Sequence, residues 1–270
     1  MLELIVLGTG GATATAGRDN TSFLIKTEKE RFLIDCPGGI IHKLKKVGED
    51  PKEIACLFLT HIHPDHIYGL PSFVHSLLLE AKELFIYGSE ETVAFAAKLL
   101  DLFELRQPRL KYRTSLFPLE AGKEQDLPGG VKFKAIPTPH HSSSLAFRFS
   151  FPASRETWLF SGDTPPHPPL WEEARSADVL IHEASAPKRF FELYPELRQV
   201  HTDAYELGRL AAQAKIPCLI PCHFFGEVDF SLQEIAAEVR ANYGGRLIMP
   251  HDLERWTDLM IKKWPEKDKD

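Results

Sequence analysis

The chain alternates between short apolar runs and polar breaks, and the breaks carry most of its chemistry. Leu2 to Leu7 has the length and composition of a buried strand and stops at Gly8-Thr9-Gly10-Gly11. That glycine cluster lacks dinucleotide spacing, and no helical pattern follows it. Ser22 to Lys26 and Arg31 to Asp35 read as two strands around a charged turn, followed by Cys36-Pro37-Gly38-Gly39 and a helical stretch from Ile40 to Val47. Ala55 to Leu59 is a further apolar strand. Apolar positions at Leu70, Phe73, Val74, Leu77 and Leu78 predict a helix over Gly69 to Glu80. Leu84 to Tyr87 reads as a strand, and Ser89 as the N-cap of an amphipathic helix reaching about Phe103.

The second half repeats this mixture. Strands are predicted at Val131 to Pro137, Leu145 to Phe151, Thr157 to Phe160, Val179 to Ile181, Pro217 to Pro221 and Arg246 to Met249. Asp203 with Glu206, and Ser231 with Glu234, have the spacing of capping boxes before amphipathic helices, the second ending near Tyr243. Two mixed sheets with helices outside fit this order better than a doubly wound parallel sheet.

The break from Thr60 to His66, T-H-I-H-P-D-H, needs a chemical explanation. His61 and His63 project to one side of an extended segment. Pro64 then turns the chain and presents Asp65 and His66. Neutral imidazoles and an ionised carboxylate suit zinc and similar first-row ions, so this turn reads as a metal site. Later breaks supply more donors, at His140-His141, Asp163, His182-Glu183, His201 and His223.

Composition narrows the class without changing that picture. With 43% hydrophobic and 26% charged residues, the 270-residue chain is that of an ordinary globular protein. A formal net charge of −6 gives no overall attraction for nucleic acid or anionic lipid. The basic stretch Arg106 to Arg113 reads either as a solvated loop or as a patch for an anionic substrate. Met1 to Leu7 is too short for a membrane span, and Glu3 stands where a signal peptide would carry positive charge, so a cytoplasmic, non-membrane protein is expected. Cys36, Cys56, Cys218 and Cys222 sit in apolar contexts without a C-x-x-C pair and are expected to be buried free thiols.

The motifs taken together resemble the metallo-β-lactamase superfamily. Thr60 to His66 matches its H-x-H-x-D-H signature. The opening Leu7 to Gly11, Arg18 to Ser22, Ile34-Asp35-Cys36, His140 with Leu145 to Arg148, Ser161 to Thr164, His182 to Ser185, His201-Thr202 and Pro221 to Phe224 are similar to the ribonuclease Z-like branch. The resemblance runs from about Leu2 to Met249. It implies an α/β fold, a four-layer αββα sandwich, with one hydrolase domain over 1–262 and a charged tail over 263–270.

By position, the resemblance assigns His61, His63 and His140 to one zinc ion. Asp65, His66 and His223 go to a second, with Asp163 bridging the two. His141 is the alternative to His140, whose distance to Arg148 fits the family pattern better. Manganese or iron(II) are alternatives to zinc. Two ions about 3.5–4 Å apart would hold a bridging hydroxide near neutral pH. His201 is the candidate proton donor and Glu183 its orienting partner, against the plainer readings of a residue before a helix cap and a structural anchor.

The branch resemblance implies a phosphodiesterase. The short form of ribonuclease Z carries a long flexible arm between the third histidine and the bridging aspartate, and here only His141 to Gly162 lie between them. A small or cyclic phosphodiester is therefore the expected substrate, with RNA second. The alternatives are a tRNA 3′ endonuclease, an aryl sulfate or thioester hydrolase, and a non-catalytic metal-binding protein. A homodimer is compatible with the sequence. Gly38-Gly39, Arg106 to Arg113 and Phe224 to Phe230 are the expected walls of the pocket.

Overall fold

A computed structural model describes residues 2–108 and 110–257; the charged tail over 263–270 and Arg109 of the basic stretch lie outside the described residues. Six strands come first: β1 Glu3–Gly8, β2 Ser22–Lys26, β3 Arg31–Ile34, β4 Cys56–Phe58, β5 Glu83–Gly88 and β6 Arg113–Pro118. They lie side by side in chain order, antiparallel from β1 to β3 and parallel from β3 to β6.

The second sheet holds β7 Glu124–Asp126, β8 Lys132–Pro137, β9 Leu145–Phe151, β10 Glu156–Phe160, β11 Val179–Glu183, β12 Cys218–Cys222 and β13 Arg246–Leu247. From β8 to β13 it repeats the antiparallel-then-parallel order of the first. The last strand, β14 Arg255–Thr257, crosses back to pair antiparallel with β1. Helices α1 Ile40–Lys46, α2 Pro64–Ile67, α3 Leu70–His75 and α4 Glu90–Leu102 accompany the first sheet; α5 Pro168–Ala174, α6 Lys188–Leu193, α7 Ala204–Ala214 and α8 Leu232–Arg240 accompany the second. Among the described residues, no helix is long and apolar enough to cross a membrane.

The continuous apolar runs follow from burial on both faces of each sheet. Leu4, Val6, Phe23, Phe32 and Phe58 turn inward to meet Phe133, Phe147, Phe149, Trp158 and Phe160 of the other sheet. Ile5, Leu7, Leu24, Leu33 and Leu57 turn outward against Leu44, Leu70, Phe73 and Leu100 of the first helical layer. Leu159, Leu180 and Leu219 do the same against Leu170, Leu207 and Ile235. Phe58 stands at the centre, with Tyr87 at 4.8 Å, Phe133 at 4.9 Å and Phe149 at 5.1 Å between ring centroids. This is the αββα sandwich the sequence implied, and all four cysteines are buried free thiols within it.

The three expected caps form: Ser89, Asp203 and Ser231 accept from the backbone amides of Thr92, Glu206 and Glu234. Other boundaries differ for local reasons. The helix expected over Gly69 to Glu80 is regular only to His75, where the Ser76 hydroxyl bonds back to the Phe73 carbonyl at 2.7 Å and the chain continues as turns. The strand expected over Arg246 to Met249 is two residues rather than four, and β14 follows it. Edge strands β6 and β7 and the proline-led α5 carried no clear periodicity in the sequence.

Candidate metal centre

Strand ends from both sheets deliver the polar breaks to one place. The segment after β4 provides Thr60 to His66, and the residues beyond β8, β10 and β12 provide His140, Asp163 and His223. The two sheets are joined here directly, because the Leu145 amide at the start of β9 donates to the Thr60 carbonyl at 3.0 Å. The T-H-I-H-P-D-H turn is itself partly helical. His63 is the extended N-cap of α2 and Pro64 its first residue, so the fixed proline φ starts the helix that points Asp65 and His66 inward. Gly162 has φ of 57°, and a Cβ there would meet the Leu145 carbonyl at 3.0 Å, so glycine is needed just before Asp163.

The donor atoms converge in two groups. His61 Nε2 lies 2.9 Å from His63 Nδ1, which lies 3.1 Å from His140 Nε2. Across the centre, His66 Nε2 is 3.2 Å and His223 Nε2 is 3.5 Å from Asp65 Oδ2. A single atom, Asp163 Oδ2, lies between the groups, 3.9 Å from His61, 3.7 Å from His140, 3.5 Å from His66 and 3.1 Å from His223. Every metal-ligating residue expected from the sequence is thus in one cluster. His141 is not among them: its Nδ1 is 2.8 Å from the Ser143 hydroxyl, and its ring stands at the rim, 5.3 Å from that of His63.

Whether these side chains suit a cation can be tested on their outer contacts. His66 Nδ1 is 2.8 Å from Asp35 Oδ2, and His140 Nδ1 is 2.8 Å from the Val200 carbonyl. Both outer partners are acceptors, so each ring carries a proton on Nδ1, and Nε2 is the atom left to face a cation at the centre. His66 Nε2 and His223 Nε2 are buried and face only carboxylate oxygens, those of Asp65 and Asp163. His63 Nδ1, with one proton at most while the ring is neutral, cannot donate to both His61 and His140. Converging lone pairs around buried carboxylates are costly unless a cation sits among them, and the donor set fits one.

The electrostatics divide the histidines in the same way. Burial pushes the pKa values of His61, His63 and His140 down, favouring the neutral, ligating form. Burial opposes charge on His66 too, but the Asp163, Asp35 and Asp65 carboxylates outweigh it and lift that ring well above the ordinary histidine range. The same ring and His223 hold Asp163 well below the carboxylate range despite its burial.

Beside the cluster, His201 Nδ1 lies 2.9 Å from Glu183 Oε2, the last residue of β11. Burial opposes protonation of His201, but the adjoining Glu183 carboxylate overcomes it and lifts the imidazole to about 9. The Ser185 hydroxyl and the Thr164 amide also donate to Glu183.

Two residues touch the site that the sequence placed only within a motif and an expected wall, without a role of their own. Asp35, with φ of 58°, accepts from the Thr60 amide at 2.8 Å and from its hydroxyl as well as contacting His66. Its sequence signals were a carboxylate closing an apolar strand and its place in the Ile34-Asp35-Cys36 motif, neither of which gave it a role. Phe225 packs edge-to-face on His201, with centroids 5.0 Å apart and planes at 89°, which makes the expected Phe224 to Phe230 wall a real neighbour of the centre. Tyr68 packs over Gly38, while the described part of the basic stretch belongs to the α4–β6 side, with Arg106 on Asp101 and the Arg113 amide on the Lys82 carbonyl.

A carboxylate that sets a ligand's tautomer should matter to affinity. Asp35→Ala is expected to weaken zinc binding by roughly 10–100-fold, read by competition with a chromogenic chelator. Unchanged affinity would make Asp35 only a fold residue.

The sandwich and its donor cluster define a metal-dependent hydrolase of the metallo-β-lactamase superfamily, in its ribonuclease Z-like branch. The chain belongs to the family described as Anti-Pycsar protein Apyc1, which matches residues 2–224. It is 26% identical to a ribonuclease Z of Mycobacterium marinum, over 94% of this chain and 98% of that protein. A ribonuclease Z of Pyrococcus abyssi is 30% identical over 68% of this chain and 75% of its own length. Among solved structures, the metallo-beta-lactamase fold protein YhfI from Bacillus subtilis superposes with a TM-score of 0.79 at 18% identity, covering 94% of this chain and 98% of that one.

Proposed function

We propose that the protein is a dinuclear zinc phosphodiesterase acting on a small or cyclic phosphodiester. The observation that carries the size of the substrate is the connection between His140 and Asp163. It is consumed by the β9–β10 hairpin, whose strands leave only residues 152–155 as a turn, so no arm extends from it. Exposed acids reinforce this reading. Glu227 and Asp229 follow Phe225, and Glu91 reaches the His141 loop by accepting from the Ser142 hydroxyl at 2.6 Å. Carboxylates at this rim, on a chain of net charge −6, oppose a long polyanion.

In this reading His61, His63 and His140 hold one ion, Asp65, His66 and His223 the other, and Asp163 is shared. When bound, such ions supply Lewis acidity, polarising phosphoryl oxygens and acidifying the attacking water. The remaining work falls to the chain. Asp35 and the Val200 carbonyl keep His66 and His140 in the Nε2-acceptor form. Glu183 holds the His201 Nδ1 proton, which leaves the Nε2 proton of the imidazolium to pass to the departing alkoxide oxygen as the P–O bond breaks. His141 stands at the rim, beside the ring of His63.

A tRNA 3′ endonuclease is the second reading, favoured by the ribonuclease Z relatives. Zinc-loaded protein offered bis(p-nitrophenyl) phosphate, a thioester and an aryl sulfate is expected to turn over the phosphodiester with preference. Preference for either other ester would overturn the assignment. Efficient trimming of precursor tRNA across a salt series would favour the second reading instead.

A further inference from the structure

Phe225 lies on no metal-ligating motif, yet it completes a box around His201. The imidazole of His201 meets the ring of His140 at 4.8 Å and 54°, that of His223 at 5.7 Å and 19°, and that of Phe225 at 5.0 Å and 89°. Two of these walls are held in the donor cluster, and the third is held by other means. The Phe225 amide donates to the Ser185 carbonyl at 2.7 Å, and Phe190 backs its ring at 6.4 Å and 79°. Gly11 makes room for it, since a Cβ at that position would stand 3.1 Å from Phe225 Cδ1.

These contacts close on themselves. Ser185 carries Phe225 on its carbonyl, and its hydroxyl donates to Glu183 Oε2, the atom that also meets His201 Nδ1. One short segment therefore fixes both the hydrogen bond on one side of the imidazole and the ring against its face. The bond to Glu183 alone leaves the His201 ring free to swing about that contact; an edge-to-face aromatic neighbour removes the swing.

From this closed set of contacts we infer that Phe225 is a positioning residue for His201, holding its Nε2 where a leaving-group oxygen can be protonated. The inference rests on the reading of His201 as proton donor. Displacing a reacting group by about an ångström costs on the order of 100-fold in rate. Only substrates that need the proton should feel it. A p-nitrophenolate departs without help, whereas an alkoxide does not.

The test compares zinc-loaded wild type, Phe225→Ala and Phe225→Tyr on a dialkyl phosphodiester and on bis(p-nitrophenyl) phosphate, with the His201 imidazole followed by 15N NMR. Phe225→Ala should lower kcat on the alkyl diester by roughly 10–100-fold with little change in KM, and on the aryl diester by less than about twofold. Phe225→Tyr should restore the alkyl rate. The His201 ring signals should change from those of one fixed imidazolium, protonated at both nitrogens, to exchange-averaged positions in Phe225→Ala and return in Phe225→Tyr. A rise in KM with kcat preserved would make Phe225 a substrate-contact wall and overturn the inference. So would equal losses on both substrates with unchanged His201 signals. If wild type hydrolyses neither diester, the proposed function fails, and the NMR comparison alone then decides whether Phe225 orders His201.

Discussion

Stripping the protein of metal with a chelator is expected to abolish phosphodiester hydrolysis and to lower the melting temperature, both restored by added zinc. The physical basis is the donor cluster. Without a cation, His66 Nε2 and His223 Nε2 must take up protons to face the Asp65 and Asp163 carboxylates, and His63 Nδ1 faces two ring nitrogens at 2.9 and 3.1 Å. Ions bound there relieve these contacts only in the folded chain, so binding energy becomes folding energy. Asp163 is the most exposed point of this design to mutation, because its Oδ2 lies within 3.9 Å of four imidazoles. Asp163→Ala should reduce zinc content by elemental analysis. Activity should fall by on the order of 10³-fold or more, the loss of several kcal/mol of charge stabilisation. Full activity in protein verified to be metal-free would refute the metal reading altogether.

The second large effect should appear at His201, and it should depend on the leaving group. Replacing a general acid typically costs about 10²–10⁴-fold. His201→Ala is accordingly expected to lose that much on a dialkyl phosphodiester and less than about tenfold on bis(p-nitrophenyl) phosphate. Zinc content should stay at the wild-type level. This last measurement matters because His201 also stands within ligating distance of His140 and Asp163, and of Glu183 and His223. Loss of zinc together with equal losses on both substrates would recast His201 as a ligand. Glu183→Gln should fall between wild type and His201→Ala on the alkyl substrate, since the hydrogen bond at Nδ1 survives while the carboxylate charge does not.

Much of the centre could be read in the chain because its chemistry is concentrated. His61, His63, Asp65 and His66 lie on one turn, and the short α2 that aims the last two begins at a proline visible in the sequence. The caps at Ser89, Asp203 and Ser231 were equally legible, since each is a local exchange between a side chain and an amide three residues on. Asp35 was not, because a carboxylate ending a strand has many uses, and its partner His66 is thirty-one positions away. Phe225 resembled any apolar residue beside a strand end until His201 was placed against it.

The amino-acid sequence by itself determined which residues could bind metal, the two-sided burial of the strands and the absence of an arm between His140 and Asp163. These are matters of side-chain chemistry, apolar pattern and chain length. Only the tertiary structure decided that His140 rather than His141 faces the cluster, that Asp163 sits between the two donor groups, and that Asp35, Glu183 and Phe225 hold the histidines in place. Some of those contacts cross between the sheets, as His63 to His140 and His66 to Asp163 do, and others join neighbouring strand ends of one sheet, as Asp35 to His66 does; all depend on distant segments being packed together.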